Sequence, residues 1–254
     1  MIFDSLTHAT KDGIWFNTTY DCSFEKLTQE LDKHNVDQAI LSGLTTSGVN
    51  DFIINLAKTD DRLYPVPMIS KVDDFKLNAE VKRFVEHGVG AIKFHPRFAQ
   101  SCLSSKLFKT CVELCRKYQL TMFVCTVPYY DNGAKGLDFI KELHEIILNN
   151  QDIKFVLLHG GYNQLLNLAE SVRGIENCIV DLSATIVRFK NASVGLDVKY
   201  LFEHFEKRLC IGTDFPEYDY DDVGEALEHL GLAWSSAHDS GVLGGNLERF
   251  LKEC

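Results

Sequence analysis

Eight short apolar runs recur along the chain, and their spacing constrains the fold more than any other feature. They are Ile2–Leu6, Gln38–Ser42, Leu63–Ile69, Val89–His95, Leu120–Thr126, Ile153–His159, Asn177–Ser183 and Arg208–Asp214. Their starts lie roughly 24 to 36 residues apart, the length of one strand plus one crossover helix. Most are nearly continuous Val, Ile, Leu, Phe and Cys rather than alternating, as expected of parallel strands buried on both faces. The stretches between them are amphipathic. Phe24, Leu27 and Leu31 have helical spacing behind Ser23, a suitable N-cap. Phe75–His87, Lys106–Tyr118 and Leu137–Leu148 read as further helices, with Gly88 suited to a C-cap. No linker, low-complexity tract or longer repeat interrupts this rhythm, so the expectation is one α/β domain over residues 1–254. Eight βα units favour a (β/α)8 TIM barrel. A doubly wound sheet would place a glycine-rich phosphate loop after the first strand, where Leu6-Thr7-His8-Ala9-Thr10 has no glycine.

Composition narrows the function classes. A net charge of −10 argues against a nucleic-acid surface. No apolar stretch approaches the roughly 20 residues that span a bilayer, and the N-terminus opens on a strand pattern without a signal-like segment. None of the eight cysteines forms a C-x-x-C pair, and several lie inside apolar runs. That is the pattern of reduced core thiols in a cytoplasmic protein. Cys111 and Cys115 share the apolar face of their helix with Leu107 and Tyr118.

Polar residues gather where the runs end. The last run closes in Gly212-Thr213-Asp214-Phe215-Pro216, and a carboxylate at the end of a buried strand needs a metal, a proton or a cation. Three other runs end in His8, His95 and His159. A single histidine is as readily a satisfied structural residue; the shared position of four such groups points to one site at the C-terminal face of a barrel. Imidazole and carboxylate suit zinc-like ions, and a carboxylate can also take a proton from attacking water. His34, His87, His144, His204, His229 and His238 fall in helices or loops and read as surface residues.

Five segments in order carry a family resemblance over the whole chain. They are Asp4–His8, Gly90–Pro96, Leu157–Gly161, Ile211–Pro216 and the closing Gly244–Leu251. With them the sequence resembles the amidohydrolase superfamily, specifically the amidohydrolase-related (amidohydrolase 2) branch, which includes metal-dependent decarboxylases and lactonases. The resemblance implies an H-x-H pair of metal ligands on the first strand and a metal-binding histidine at the end of the fifth. It also implies a sixth-strand histidine that binds a second metal or polarises substrate, and an eighth-strand aspartate that binds metal and accepts the water's proton.

Two ligand positions depart from that pattern. Leu6 stands where the first histidine of the pair belongs, and Cys125 or Thr126 where the fifth-strand histidine belongs. A reduced metal set of His8, Cys125 and Asp214 follows, with one divalent ion such as zinc, or none, as the cofactor. The expected activity is hydrolysis of a small lactone, ester or amide. Asp214 would act as general base and His159 would stabilise the oxyanion, while His95, Arg97, Tyr129 and Arg188 bind substrate; Lys93 is a further candidate cation. Arginines on such loops also form plain surface ion pairs, and Asp181 reads as a hydrogen-bonding partner. Phe98, Tyr129, Tyr130, Tyr218 and Tyr220 are expected to wall the pocket. The acidic run Glu217–Asp222 reads as the start of the last barrel helix. The alternatives are an inactive barrel with a binding or regulatory role and a metal-dependent non-oxidative decarboxylase. A small-molecule substrate and a homodimer are the expected partners, with neither nucleic acid nor membrane.

Overall fold

The computed structural model describes residues 1–44, 48–69, 74–128 and 139–252. Among these, eight strands alternate with helices: β1 (Phe3–Thr7), β2 (Gln38–Ser42), β3 (Leu63–Val66), β4 (Ala91–Phe94), β5 (Thr121–Cys125), β6 (Phe155–Leu158), β7 (Cys178–Asp181) and β8 (Leu209–Cys210). All pairings are parallel and follow chain order, β1 to β3 and β4 to β8. Backbone hydrogen bonds cross both remaining seams. Lys93 N–H donates to Pro67 O (2.8 Å) and Ile69 N–H to Lys93 O (2.9 Å). Asp214 N–H donates to Leu6 O (2.9 Å) and His8 N–H to Phe215 O (3.0 Å). The strands therefore form the ring of a TIM barrel.

Strand periodicity sorts the side chains. Ala91, Phe123, Val156, Leu158, Ile179 and Cys210 fill the interior with Leu6 and Ile40, while Ile92, Phe94, Met122, Val124, Leu157 and Val180 pack outward against helices. The helices start where their caps place them. The Ser23 and Ser105 hydroxyls accept from Lys26 and Phe108 N–H, and Asp219 with Asp222 forms a capping box at helix Tyr220–His229. The acidic run thus does what its sequence suggests. Helix Gly245–Lys252 closes the opposite end of the barrel. Its Leu247 enters the interior and Asn246 Nδ2 donates to Leu209 O (2.9 Å).

The eighth strand is shorter than its apolar run. Beyond Cys210 the backbone turns to other partners, with Ile211 N–H on Val242 O and Ser5 N–H on Ile211 O. Gly212 passes β1 so closely that a Cβ would stand 2.6 Å from Leu6 N. Asp214 follows in the left-handed region, at φ 60.

Asp4 holds this seam together. Its buried carboxylate accepts from Leu6 N–H (3.0 Å), Thr213 N–H (3.0 Å), Thr213 Oγ1 (2.8 Å) and the Tyr220 hydroxyl (2.7 Å). Tyr220 is therefore not the pocket aromatic expected from sequence: its hydroxyl is drawn inward to this carboxylate. Burial raises the Asp4 carboxyl from 3.8 to about 6, outweighing those hydrogen bonds. Between these values the folded chain keeps a proton that the unfolded chain has lost. Stability therefore falls as pH rises through that window, and Asp4 adds no further pH dependence outside it. Asp4→Ala, which strands several donors, is expected to cost at least about 3 kcal/mol in urea unfolding. Asp4→Asn should fold and lose a pH-dependent component on the order of 2–3 kcal/mol.

Candidate active site

The sequence-selected residues meet at the C-terminal mouth of the barrel. His8, His95, Arg97, Cys125, His159, Arg188 and Asp214 line one cavity of about 400 Å³, together with Lys93. Tyr129 and Tyr130 lie outside the described residues. Of the other expected aromatics, Phe98 lines the cavity, while Tyr218 packs partly buried against the hydrophobic core. The sequence reading missed Trp15, Phe16, Tyr20, Tyr162 and Glu217 as lining residues. Their signal was position: Trp15 and Phe16 lie on the loop leaving β1, and Tyr162 follows the glycines after His159.

The inward face of each strand delivers the polar groups. On β4, Lys93 shares parity with Ala91 and with His95 just beyond the strand. On β5, Cys125 follows Phe123; on β7, Asp181 follows Ile179. The last polar groups stand on tight turns, where His159, Ala184 and Asp214 all have positive φ (65, 58 and 60). Such backbone costs about 1–3 kcal/mol per residue and persists only where surrounding contacts impose it.

Those contacts are present around His159. Its N–H donates to Asp181 Oδ2 (3.0 Å), and its carbonyl accepts from Thr185 Oγ1 (2.6 Å). Its Nδ1 donates to Ser183 O (3.1 Å). Asp181 in turn accepts short hydrogen bonds from the Ser5 and Ser183 hydroxyls, the bracing role expected of it. The Cys125 thiol lines the same cavity as His159 and His95. Burial alone would keep the sulfur protonated. The fields of the His95 and His159 imidazoles reverse this and hold Cys125 well below the usual thiol range. Burial likewise opposes a charge on His159, but Cys125, Asp214 and Asp181 lift it to about 9. The proton of this pair therefore sits on the imidazole.

His8 is arranged differently. Its Nδ1 donates to Ser42 O (3.0 Å) and its Nε2 faces Asp214 Oδ1 at 3.4 Å. Burial and the Lys93 ammonium push His8 down to about 4, so it is neutral at pH 7 and Nε2 carries a lone pair. Burial works against the Asp214 charge, yet the positive charges of His159 and Lys93 hold it below the usual carboxylate range. Two acceptors thus face one point, which suits a water or substrate hydroxyl that donates to both.

A family profile described as amidohydrolase matches residues 14–252. The chain belongs to the amidohydrolase family. Solved structures agree on the fold. A protein described as a probable 2-pyrone-4,6-dicarboxylic acid hydrolase from Acinetobacter baumannii, with citric acid bound, superposes with a TM-score of 0.69 at 14% identity, covering 99% of both chains. The 5-carboxyvanillate decarboxylase of Sphingomonas paucimobilis gives 0.69 at 13% identity, covering 100% of this chain and 99% of its own. An amidohydrolase from Burkholderia multivorans with bound zinc gives 0.71 at 13% identity, covering 99% of both chains. No curated protein sequence matches the chain.

Zinc sites use at least three protein ligands. Here His8 and Asp214 supply two. Leu6 is part of the apolar interior and supplies no ligand. Lys93 lines the same cavity, where burial lowers its pKa from the usual lysine range and the neighbouring Asp214 and Asp181 oppose this. Among the described residues no group of three His, Cys, Asp or Glu side chains is placed to hold an ion. This donor set does not fit the metal that the family implies. Imidazole NMR checks the charge assignment. His159 should stay protonated up to about pH 9 and His8 neutral down to about pH 4. The reverse order of titration would contradict it.

Proposed function

We propose that the chain hydrolyses a small carboxylate-bearing ester or lactone, using its own side chains to activate water. The observation that carries this reading is the paired acceptor of His8 Nε2 and Asp214 Oδ1, 3.4 Å apart in a cationic cavity. A water donating to both turns a lone pair toward the substrate, and Asp214 with His8 takes its proton as the bond to the acyl carbon forms. His159, charged at neutral pH, donates to the developing oxyanion or leaving oxygen, and the buried Lys93 ammonium adds its field.

Arg97 and Arg188 suit the substrate's carboxylate. Arg188 is half-exposed and meets Glu217 only at 3.9 Å, a pairing loose enough to exchange for a ligand. Phe98, stacked near Phe16 (5.8 Å between rings), and Tyr162 offer flat apolar walls. Water activation favours hydrolysis over decarboxylation, which needs no attacking water. The dicarboxylate named for the Acinetobacter relative is consistent with a substrate of this charge.

Asp214→Asn should lower kcat on carboxylated aryl esters and lactones by about 10²–10⁴-fold with little change in KM. Arg188→Met should raise KM by roughly 10–100-fold while kcat changes little. Turnover untouched by Asp214→Asn would remove the base and this reading with it.

A further inference from the structure

The cavity holds a carboxylate that water activation does not use. Two of the described lining residues are acidic, Asp214 and Glu217. Asp214 faces His8 and has its task in hydrolysis. Glu217 has none. Its backbone N–H donates to Asp214 O (3.0 Å), a turn that fixes it to the segment carrying the base. Among the described residues its ion-pair partner is Arg188, at 3.9 Å.

That distance sets the pair apart. Arg62 meets Asp32 at 2.7 Å and Asp60 at 2.8 Å, while Arg83–Asp51, Arg116–Asp152 and Arg173–Glu170 all close to 2.5 Å. Those pairs are hydrogen-bonded; at 3.9 Å Arg188 and Glu217 are not. Two opposite charges thus line one cavity and leave each other's donors and acceptors unfilled. Arg188 nevertheless has a fixed neighbour. Its guanidinium lies over the Tyr162 ring, 5.6 Å from the centroid, and Tyr162 packs edge-on against Phe189 at 5.2 Å. The same Tyr162 ring stands 6.0 Å from the His159 imidazole. The pair is therefore one aromatic ring away from the reacting groups, a span that a chain of a few atoms covers.

A plain carboxylate bound to Arg188 would lie beside the Glu217 carboxylate, and like charges at that range repel. A carboxylate flanked by its own ammonium meets no such repulsion. The anion accepts from Arg188 and the ammonium donates to Glu217, so both loosely paired side chains are satisfied together. An α-amino acid headgroup carries these two charges on neighbouring atoms.

We infer, resting on the hydrolase reading, that Arg188 and Glu217 bind the headgroup of an α-amino acid whose side chain carries the ester. The substrate class is then a side-chain ester of an acidic amino acid. Water adds its oxygen to the ester carbon, and the C–O bond to the alcohol breaks. The leaving oxygen takes a proton, the acid keeps the hydroxyl oxygen of the water, and no oxidation state changes. Glu217 touches the ammonium and not the reacting atoms, which makes it a specificity-determining residue.

The probes are L-glutamate γ-methyl ester and monomethyl glutarate, which has the same chain and free carboxylate without the amino group. Wild-type chain should favour the amino ester by roughly 10–100-fold in kcat/KM, the margin of a partly exposed pair. Glu217→Gln should erase that preference through KM with little change in kcat. It should still hydrolyse monomethyl glutarate at least as fast as wild type, which also shows that it folds. Glu217→Lys should invert the preference. Equal rates on the two esters, or a preference that survives Glu217→Gln, would overturn the headgroup site and leave the hydrolase reading standing. Should neither ester turn over, the hydrolase reading falls and calorimetric titration with L-glutamate and with glutarate tests the headgroup site alone. Tighter binding of L-glutamate, lost in Glu217→Gln, would support the site; equal binding, or none, would overturn it as well.

Discussion

Buried carboxylates hold this barrel's mouth in shape. Asp4 binds β1 to the segment after β8, and Asp181 binds β1, the turn after β6 and the turn after β7. Each removes a charge from water, which costs several kcal/mol unless hydrogen bonds surround it. Both are surrounded. In return, the irregular backbone at His159, Ala184 and Asp214 is clamped, so the reactive side chains face one cavity.

The same burial decides which groups are charged. Within one small volume, low polarity neutralises His8 while neighbouring charges keep His159 protonated and Asp214 ionised. Two histidines at equivalent strand ends thus have opposite protonation, and each is suited to a different task. In the proposed reading, the positive charge that a resident metal brings to hydrolysis comes from Lys93 and His159 instead. Leu6 fits that reading, since an apolar side chain extends the interior where a ligand would otherwise project.

Much of this was legible in the sequence. Eight apolar runs gave the eight strands, and Lys106–Tyr118 is a helix over that same span. The polar residues at run ends converge because strands of a barrel all point their C-termini to one face. Three things were not legible. The run Arg208–Asp214 is apolar because it is buried, but it leaves the sheet after Cys210 for partners that only the tertiary fold supplies. Tyr220 could not be assigned to Asp4, because a contact across 216 residues has no local signature. Cys125 could not be set in one cavity with His95 and His159, because these residues come from three separate strands that only the closed barrel brings together.

In the proposed reading, the barrel activates water and substrate with its own side chains. The most direct measurement is kcat/KM for a carboxylated ester or lactone with chelator-treated protein, compared with the same protein given zinc. Equal rates before and after chelation, with loss in Asp214→Asn, are expected. Activity that disappears on chelation and returns with one equivalent of zinc would contradict it.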